Sequence, residues 1–320
     1  MATETTDLVT LAKTALTNED AAVELMIRLR WPNGAACPRC GGADPYRLNP
    51  KAQGKRPARR GLFKCAACKK QFSVTTGSVF EASHVSLSKW LMAIHLMGAS
   101  KKGMSAHQLH RMLGITYRAA WFMNHRLRLA MAVNEGLFAK LAGVVEADET
   151  YIGAKMKRGT KAGRPGVSSH KTPVIALIER GGRVRAFPVE RVTGETLRSA
   201  LKAHVEPSAT LMTDEYQIYD VAGKDFAKHE RVNHGRKEYV RGNVYTNTAE
   251  GFFSLLKRGI NGSFHHVSKG HLFRYVDEFA FRHDNRIALG FTDQDRTERI
   301  VLGAEGKRLT YKKRSGSRAA

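Results

Sequence analysis

Four cysteines constrain this chain more than any other residues. They form two knuckles, Cys37-Pro-Arg-Cys40 and Cys65-Ala-Ala-Cys68, with 24 residues between them. Two residues between thiols let both sulfurs face one tetrahedral ion, and four thiolates in a closed structural site are a donor set that suits Zn²⁺. Gly41-Gly42 follows the first knuckle and supplies the tight turn that aims backbone N–H groups at sulfur. The gap is slightly longer than the commonest spacing, and a ribbon with a hairpin insert accommodates it. Disulfides or free core thiols are the competing reading. The N-terminus, MATETTDLVT, has neither a basic n-region nor an apolar h-region, so a cytoplasmic chain is expected. There, clustered cysteines are metal ligands more often than disulfides. One structural Zn²⁺ on Cys37, Cys40, Cys65 and Cys68 is therefore expected.

Charge bounds the partners. With 53 Lys plus Arg against 29 Asp plus Glu, the formal charge is +24. Such a surplus repels itself unless a polyanion is bound, and nucleic acid is the first candidate because each neutralised phosphate releases counterions. An anionic membrane surface is the weaker alternative, and no apolar stretch reaches the ~20 residues of a spanning helix. Lys51 to Lys70 holds eight basic residues and no acidic one, and the Gly- and Pro-rich loop 153–171 holds six and none. Phosphate contacts are expected from Lys55, Arg56, Arg59, Arg60, Lys155, Lys157, Arg158, Lys257 and Arg258; a merely solvated charged face is the plainer alternative.

The 320 residues suggest two or three domains, and 42% hydrophobic content supports a core. A short helix is predicted over 17–31. Residues 86–131 read as helical, with Ser105-Ala-His-Gln108 as a capping box, a turn at Gly114-Ile115 and a long helix opened by Thr116. Helix, glycine turn, helix is also the pattern of a DNA-reading helix-turn-helix. His107 and His110 have no cysteine or carboxylate beside them and read as surface or core residues. Beyond a linker, strands are predicted at 143–152, 173–178 and 184–189, then a helix capped by Thr193 and a strand over 209–213. Residues 223–243 read as irregular. Helices follow near 247–257 and after 268, and the end of the chain is expected to be disordered. The order is mixed α/β.

Three acidic residues carry the chemistry. Asp148 lies in the first strand, Asp214 at the end of the fourth, and Glu250 at the start of a helix. If the first and fourth strands are neighbours and that helix packs across their ends, the three meet. Like charges so placed raise each other's pKa until a cation is present, and hard oxygen donors select Mg²⁺ or Mn²⁺. Two such ions ~3.5–4 Å apart support in-line phosphoryl displacement. Lys257 follows Glu250 by seven positions, close to two helical turns, on the same side and in reach of a phosphate. Each residue also has a structural reading: Asp148 as the polar side of a strand, Asp214 as a helix cap, and Glu250 as part of a capping box in Asn247-Thr-Ala-Glu250.

As a set these segments resemble bacterial insertion-sequence DDE transposases with an N-terminal zinc ribbon, the ISXO-type group. The resemblance covers roughly residues 20–290. It rests on WPNG, CPRC, FKCAACKKQFSVTTGSVF, VEADETYIG, LMTDEYQIY, NTAEGFFSLLKRGINGSFHHVS and RYVDEFAFRHDNR. It implies a ribonuclease-H-like mixed-sheet catalytic domain (143–290) of α/β fold; ahead of it the residues read as an N-terminal helical segment (1–34), a zinc ribbon (35–80) and a helix-turn-helix-like region (85–135), and after it as a basic tail (291–320). It implies Asp148, Asp214 and Glu250 as the metal triad with Lys257 beside them, nicking of double-stranded DNA at the element's terminal inverted repeats, and attack of the freed 3′-hydroxyl on target DNA. Joining two ends implies at least a homodimer. Parts of the group assign the third position to asparagine, so Asn247, one turn before Glu250, stands as a substitute ligand. Glu149, Tyr151, His266 and Arg286 fall in the matching segments without an assigned role. The competing classes are a zinc-ribbon DNA-binding regulator from an inactive element and a nuclease that cuts without joining.

Overall fold

The computed structural model describes residues 18–48, 60–132, 139–153 and 171–310. Lys55, Arg56, Arg59, Lys155, Lys157 and Arg158 lie outside the described residues. The chain divides into two compact units: Met1–Ser100 with Met104–Ala132 and Phe291–Ala320, and Lys101–Gly103 with Val133–Gly290. Among the described residues, no helix is long and apolar enough to cross a membrane.

The first unit opens with α1 (Glu19–Arg30), which buries Ala22, Val23 and Met26 at helical spacing. The Asn18 side chain caps it, accepting from the Asp20 N–H at 2.9 Å. Strands β1 (Tyr46–Leu48), β2 (Leu62–Lys64) and β3 (Gln71–Ser73) form an antiparallel sheet in that order. Strands of three residues cannot hold a sheet alone. Trp31 packs edge-on against Phe63 and Phe72, at 5.6 and 6.0 Å, and those two rings stack at 5.5 Å. Helix α2 (Leu87–Ala99) buries Trp90, Leu91, Ile94 and Met97. It has no side-chain cap from Ser86; instead the Glu19 carboxylate accepts from the Leu87 and Ser88 N–H groups at 2.6 and 3.2 Å. Helices α3 (Ala106–Leu113) and α4 (Tyr117–Met131) follow, capped by Ser105 and Thr116, with Gly114 between them at φ +56°. That left-handed conformation ends α3 at little cost only with glycine.

The second unit is a mixed α/β arrangement. It runs β4 (Val144–Gly153), β5 (Lys171–Glu179), β6 (Val184–Pro188), α5 (Gly194–His204), β7 (Thr210–Thr213), α6 (Ile218–Ala222), β8 (Lys228–Arg231), α7 (Asn247–Gly259) and α8 (Leu272–Asp284). The sheet order is β6-β5-β4-β7-β8. The first three strands are antiparallel, whereas β7 runs parallel to β4 and β8 parallel to β7. Strand β8 falls in the stretch predicted to be irregular. Its sequence, KHER, has no apolar alternation, and its backbone pairing at the sheet edge defines it. Both faces of the sheet are covered. Val145, Ala147, Ile175 and Leu177 face Leu197, Leu201 and Tyr219. Ile152, Val174, Ala176 and Ile178 face Phe252, Phe253 and Leu256 of α7 and Val276 and Phe279 of α8. Alternation along β4 thus places Glu146 and Asp148 on the side of α7, and Glu149 on the other.

The chain then returns to the first unit as α9 (Asp293–Leu302), inside the stretch expected to be a tail. Thr292 and Asp295 form a reciprocal capping box, and Ile300 and Val301 are buried. Arg296 Nε donates to the Gly98 carbonyl at 3.0 Å, and Arg30 pairs with Glu305 at 2.7 Å. The helix is charged on most of its surface with a narrow apolar stripe, so hydropathy alone does not announce it.

Candidate active site and metal centre

The thiol cluster closes as the spacing predicts. The four sulfurs of Cys37, Cys40, Cys65 and Cys68 lie within 4.8 Å of one another and none is in a disulfide. The Cys68 N–H donates to Cys65 Sγ at 3.4 Å and is the main influence drawing that thiol down to about 7. At Cys40 the Gly42 N–H also pulls down, but the crowding thiols of Cys68, Cys65 and Cys37 outweigh it and push the group up to about 11. Four thiols cannot ionise together without a cation to take their charge. A Cβ on Gly42 would stand 3.3 Å from Cys65 Sγ and 3.4 Å from Cys40 Sγ, so glycine is what lets the turn approach the cluster. Donor type, number and closure fit Zn²⁺.

The carboxylates come from three elements of the second unit. The last paired position of β4 and β7 is Glu146 with Met212, and Asp148 and Asp214 each stand two residues further on. Asp214 accepts from the Tyr216 N–H at 3.1 Å in the turn that follows β7. Helix α7 buries Ala249, Phe252, Phe253 and Leu256 and leaves Glu250, Lys257 and Arg258 outward. Asp148, Glu149, Glu250, Ser254, Lys257 and Arg258 line one cleft of about 740 Å³. Asp214 and Asn247 do not line it. The seven-residue step from Glu250 to Lys257 therefore does put both on one wall.

Electrostatics tie the group together. Burial, then the neighbouring Glu149 charge, raise the Asp148 carboxyl to about 7, with further contributions from Asp214 and Glu250. The Glu149 N–H, donated to Asp148 Oδ1 at 2.7 Å, only partly offsets this. Asp214 is also raised, by burial first, against the Tyr216 N–H and the His234 charge. Hard oxygen donors that hold each other's protons are the chemistry a divalent cation relieves. The three carboxylates do not close as tightly as the thiols. Among the described residues, the cysteines are the one group of three or more metal-binding side chains drawn together this closely, within 4.8 Å of one another.

Residues 140–284 match the ISXO2-like transposase domain family, and residues 17–71 match the transposase zinc-ribbon domain family. Over 280 residues the chain is 30% identical to a protein in transposable element ISH50 of Halobacterium salinarum, covering 83% of this chain and 91% of that one. This chain belongs to the ISXO2-like transposase family. A transposase-like protein of Haemophilus influenzae is 27% identical over 103 residues, 32% of the transposase and 82% of that protein. Two solved structures superpose loosely. A simian T-cell lymphotropic virus intasome chain gives a TM-score of 0.28 at 14% identity, covering 61% of the transposase and 69% of that chain. A Mos1 transpososome chain gives 0.26 at 12%, covering 68% and 79%.

Sequence reasoning about the transposase missed the residue that holds α7. Glu146, wholly buried, accepts from the Thr248 N–H at 2.8 Å, the Thr248 hydroxyl at 2.9 Å, the Ala249 N–H at 3.1 Å and Arg180 Nε at 2.7 Å. Thr246 occupies the N-cap position of α7 but makes no side-chain cap. The capping box read in Asn247-Thr-Ala-Glu250 is therefore not what ends the helix, and Glu250 is not used for it. The usable signal was parity: Glu146 has the same face of β4 as Asp148. His234 was missed too, its Nδ1 being 3.8 Å from Glu250 Oε1. It lies in the segment read as irregular. Of the other residues in the matching segments, Glu149 accepts from the buried Tyr219 hydroxyl at 2.7 Å, and Arg286 donates to the His283 carbonyl at 2.6 Å. Tyr151 and His266 are exposed. Arg60 is exposed and pairs with Asp20 at 3.1 Å.

Proposed function

We propose that the transposase nicks double-stranded DNA at the terminal inverted repeats of its element and joins the freed 3′-hydroxyl to target DNA. In this reading residues 143–290 form a ribonuclease-H-like catalytic domain. The observation that carries it is the shared cleft: Asp148 of β4 lines it together with Glu250, Lys257 and Arg258 of α7, and Asp214 directly follows β7, the strand paired with β4. Asp148, Asp214 and Glu250 would hold two Mg²⁺ or Mn²⁺ ions, which when bound activate the attacking oxygen and stabilise the leaving one. Glu250 is the third position rather than Asn247, because it lines the cleft and acts on Asp148 while Asn247 does neither. Lys257 and Arg258 hold phosphates beside the reacting bond, and Lys257 binds as a point charge. The ribbon and the α3–α4 pair bind the repeat, with phosphate contacts from Lys55, Arg56, Arg59, Arg60, Lys155, Lys157 and Arg158. Joining two ends calls for at least two protomers in the active complex.

The test is cleavage of a labelled element-end duplex in Mg²⁺ or Mn²⁺. Asp148→Ala, Asp214→Asn and Glu250→Ala are each expected to fall below roughly a thousandth of the wild-type rate, about 4 kcal/mol of barrier, while end binding persists. Asn247→Ala is expected to retain most of its activity. Normal nicking by Asp214→Asn would refute the assignment, and products cut but never joined would make the protein a nuclease. Lys257→Ala is expected to weaken DNA binding across sequences and lower the slope of log affinity against log salt by about 1. An unchanged slope in a filter-binding titration would remove Lys257 from the phosphate contacts.

A further inference from the structure

We propose that Glu146 and Arg180 are a positioning pair that sets the placement of Glu250 relative to Asp148. The inference rests on the assignment of those two carboxylates made above. Glu146 and Asp148 share one face of β4, two positions apart, so their side chains rise from points roughly 7 Å apart along the strand. From that face the Glu146 carboxylate takes three hydrogen bonds from the first turn of α7, at Thr248 and Ala249. The strand that carries one carboxylate of the triad thus grips the start of the helix that carries another.

Arg180 extends the grip. It donates to Glu146 at 2.7 Å and to the carbonyls of Asn243 and Tyr245 at 2.6 and 2.7 Å, and its guanidinium lies 3.6 Å over the Tyr245 ring. Its own backbone N–H bonds the Val144 carbonyl at 2.9 Å, at the start of β4. The approach to α7 and its first turn are therefore both held to the β4–β5 pair.

A helix end needs an acceptor, but not this one. Thr246 or Asn247 could cap α7 locally without burying a charge. Burying a carboxylate is costly unless it is paired and fully hydrogen-bonded. Here it is both, and the helix dipole adds to the pairing. What the buried carboxylate achieves beyond a local cap is a fixed distance: its bonds to Arg180 and to the first turn of α7 are short and directional. A glutamine cannot replace it, because its amide presents an N–H₂ either to Arg180 or to the helix N–H groups, donor against donor.

The experiment uses the full-length protein and compares wild type, Glu146→Gln, Arg180→Lys, Thr248→Ala and Asp148→Ala. It measures cleavage against Mn²⁺ concentration, Mn²⁺ binding by calorimetry without DNA, and amide exchange at Thr248 and Ala249. Glu146→Gln and Arg180→Lys are expected to need roughly 10- to 100-fold more Mn²⁺ for half-maximal cleavage and to bind Mn²⁺ more weakly by the same factor. They are expected to exchange those amides faster and to keep end binding. Thr248→Ala, which removes one hydroxyl donor, should shift the Mn²⁺ requirement a few-fold and guards against a Glu146→Gln protein that does not fold. Wild-type Mn²⁺ dependence in folded Glu146→Gln or Arg180→Lys, with only the melting temperature lowered, would overturn the proposal and leave the pair a structural brace. If Asp148→Ala itself binds Mn²⁺ and cuts as wild type, the carboxylate assignment fails first and the positioning role with it.

Discussion

Asp148→Asn is expected to make the metal-free transposase more stable than wild type at pH 8 while abolishing cleavage. Burial first, and the Glu149 charge next, hold the Asp148 carboxyl at about 7, against 3.8 for an ordinary aspartate. The folded state therefore binds this proton more tightly than the unfolded state. The stability it contributes is fully present below pH ~4 and is lost as the pH rises through 7. Above that, a half-buried carboxylate sits among like charges, at a cost of at most about 4 kcal/mol for a pKa difference of about 3. Asparagine cannot ionise, so the urea midpoint of the variant should fall less from pH 5 to 8 than that of wild type, the remaining slope coming from Asp214 and Glu149, which burial also raises. Saturating Mn²⁺ should reverse the order, because an ion bound only by the folded site stabilises by mass action. A wild-type midpoint insensitive to pH in this window would mean that Asp148 is not crowded as described.

Removing zinc is expected to cost more. Structural zinc contributes ~10–16 kcal/mol of apparent binding free energy in small finger domains, which matches or exceeds the whole stability of a typical domain, about 5–15 kcal/mol. The strands β1–β3 have three residues each, and the Trp31, Phe63 and Phe72 cluster on them is small and includes two of the zinc-site thiols, Cys37 and Cys65. Chelation, or Cys65→Ser, is therefore expected to abolish exchange protection at β2 and β3 and to lose end binding. The sheet of the second unit has its own core on both faces and should keep its protection at β4 and β5. Exchange mass spectrometry separates the two outcomes, and protection of Phe63 and Phe72 in zinc-free Cys65→Ser would refute the metal's structural role.

How far the chain could be read from its residues follows from how far apart the interacting groups lie. The thiol cluster was legible because two CxxC pairs bring their own geometry. The caps at Ser105, Thr116 and Thr193 were legible because each bond closes within three residues. The strands predicted at 143–152 and 173–178 were legible too, and they are β4 and β5. The pairing of β4 with β7, which brings Asp214 beside Asp148, was open in the sequence and became definite only with the sheet. Strand β8 and helix α9 were not legible, since one is defined by backbone pairing at an edge and the other by a narrow apolar stripe.

Residue type and spacing alone thus picked out the candidate donors: four thiols at knuckle spacing, three carboxylates, and a lysine two turns beyond the last of them. Only the tertiary structure decided what Glu250 is free to do. Locally, Asn247-Thr-Ala-Glu250 satisfies the pattern of a self-capped helix, yet the first turn of α7 bonds to Glu146, 102 residues away from Thr248. A buried carboxylate paired with Arg180 is a stronger acceptor than a neutral threonine hydroxyl. The competition between a local neutral cap and a distant charged one cannot be settled before the sheet brings the distant one into reach.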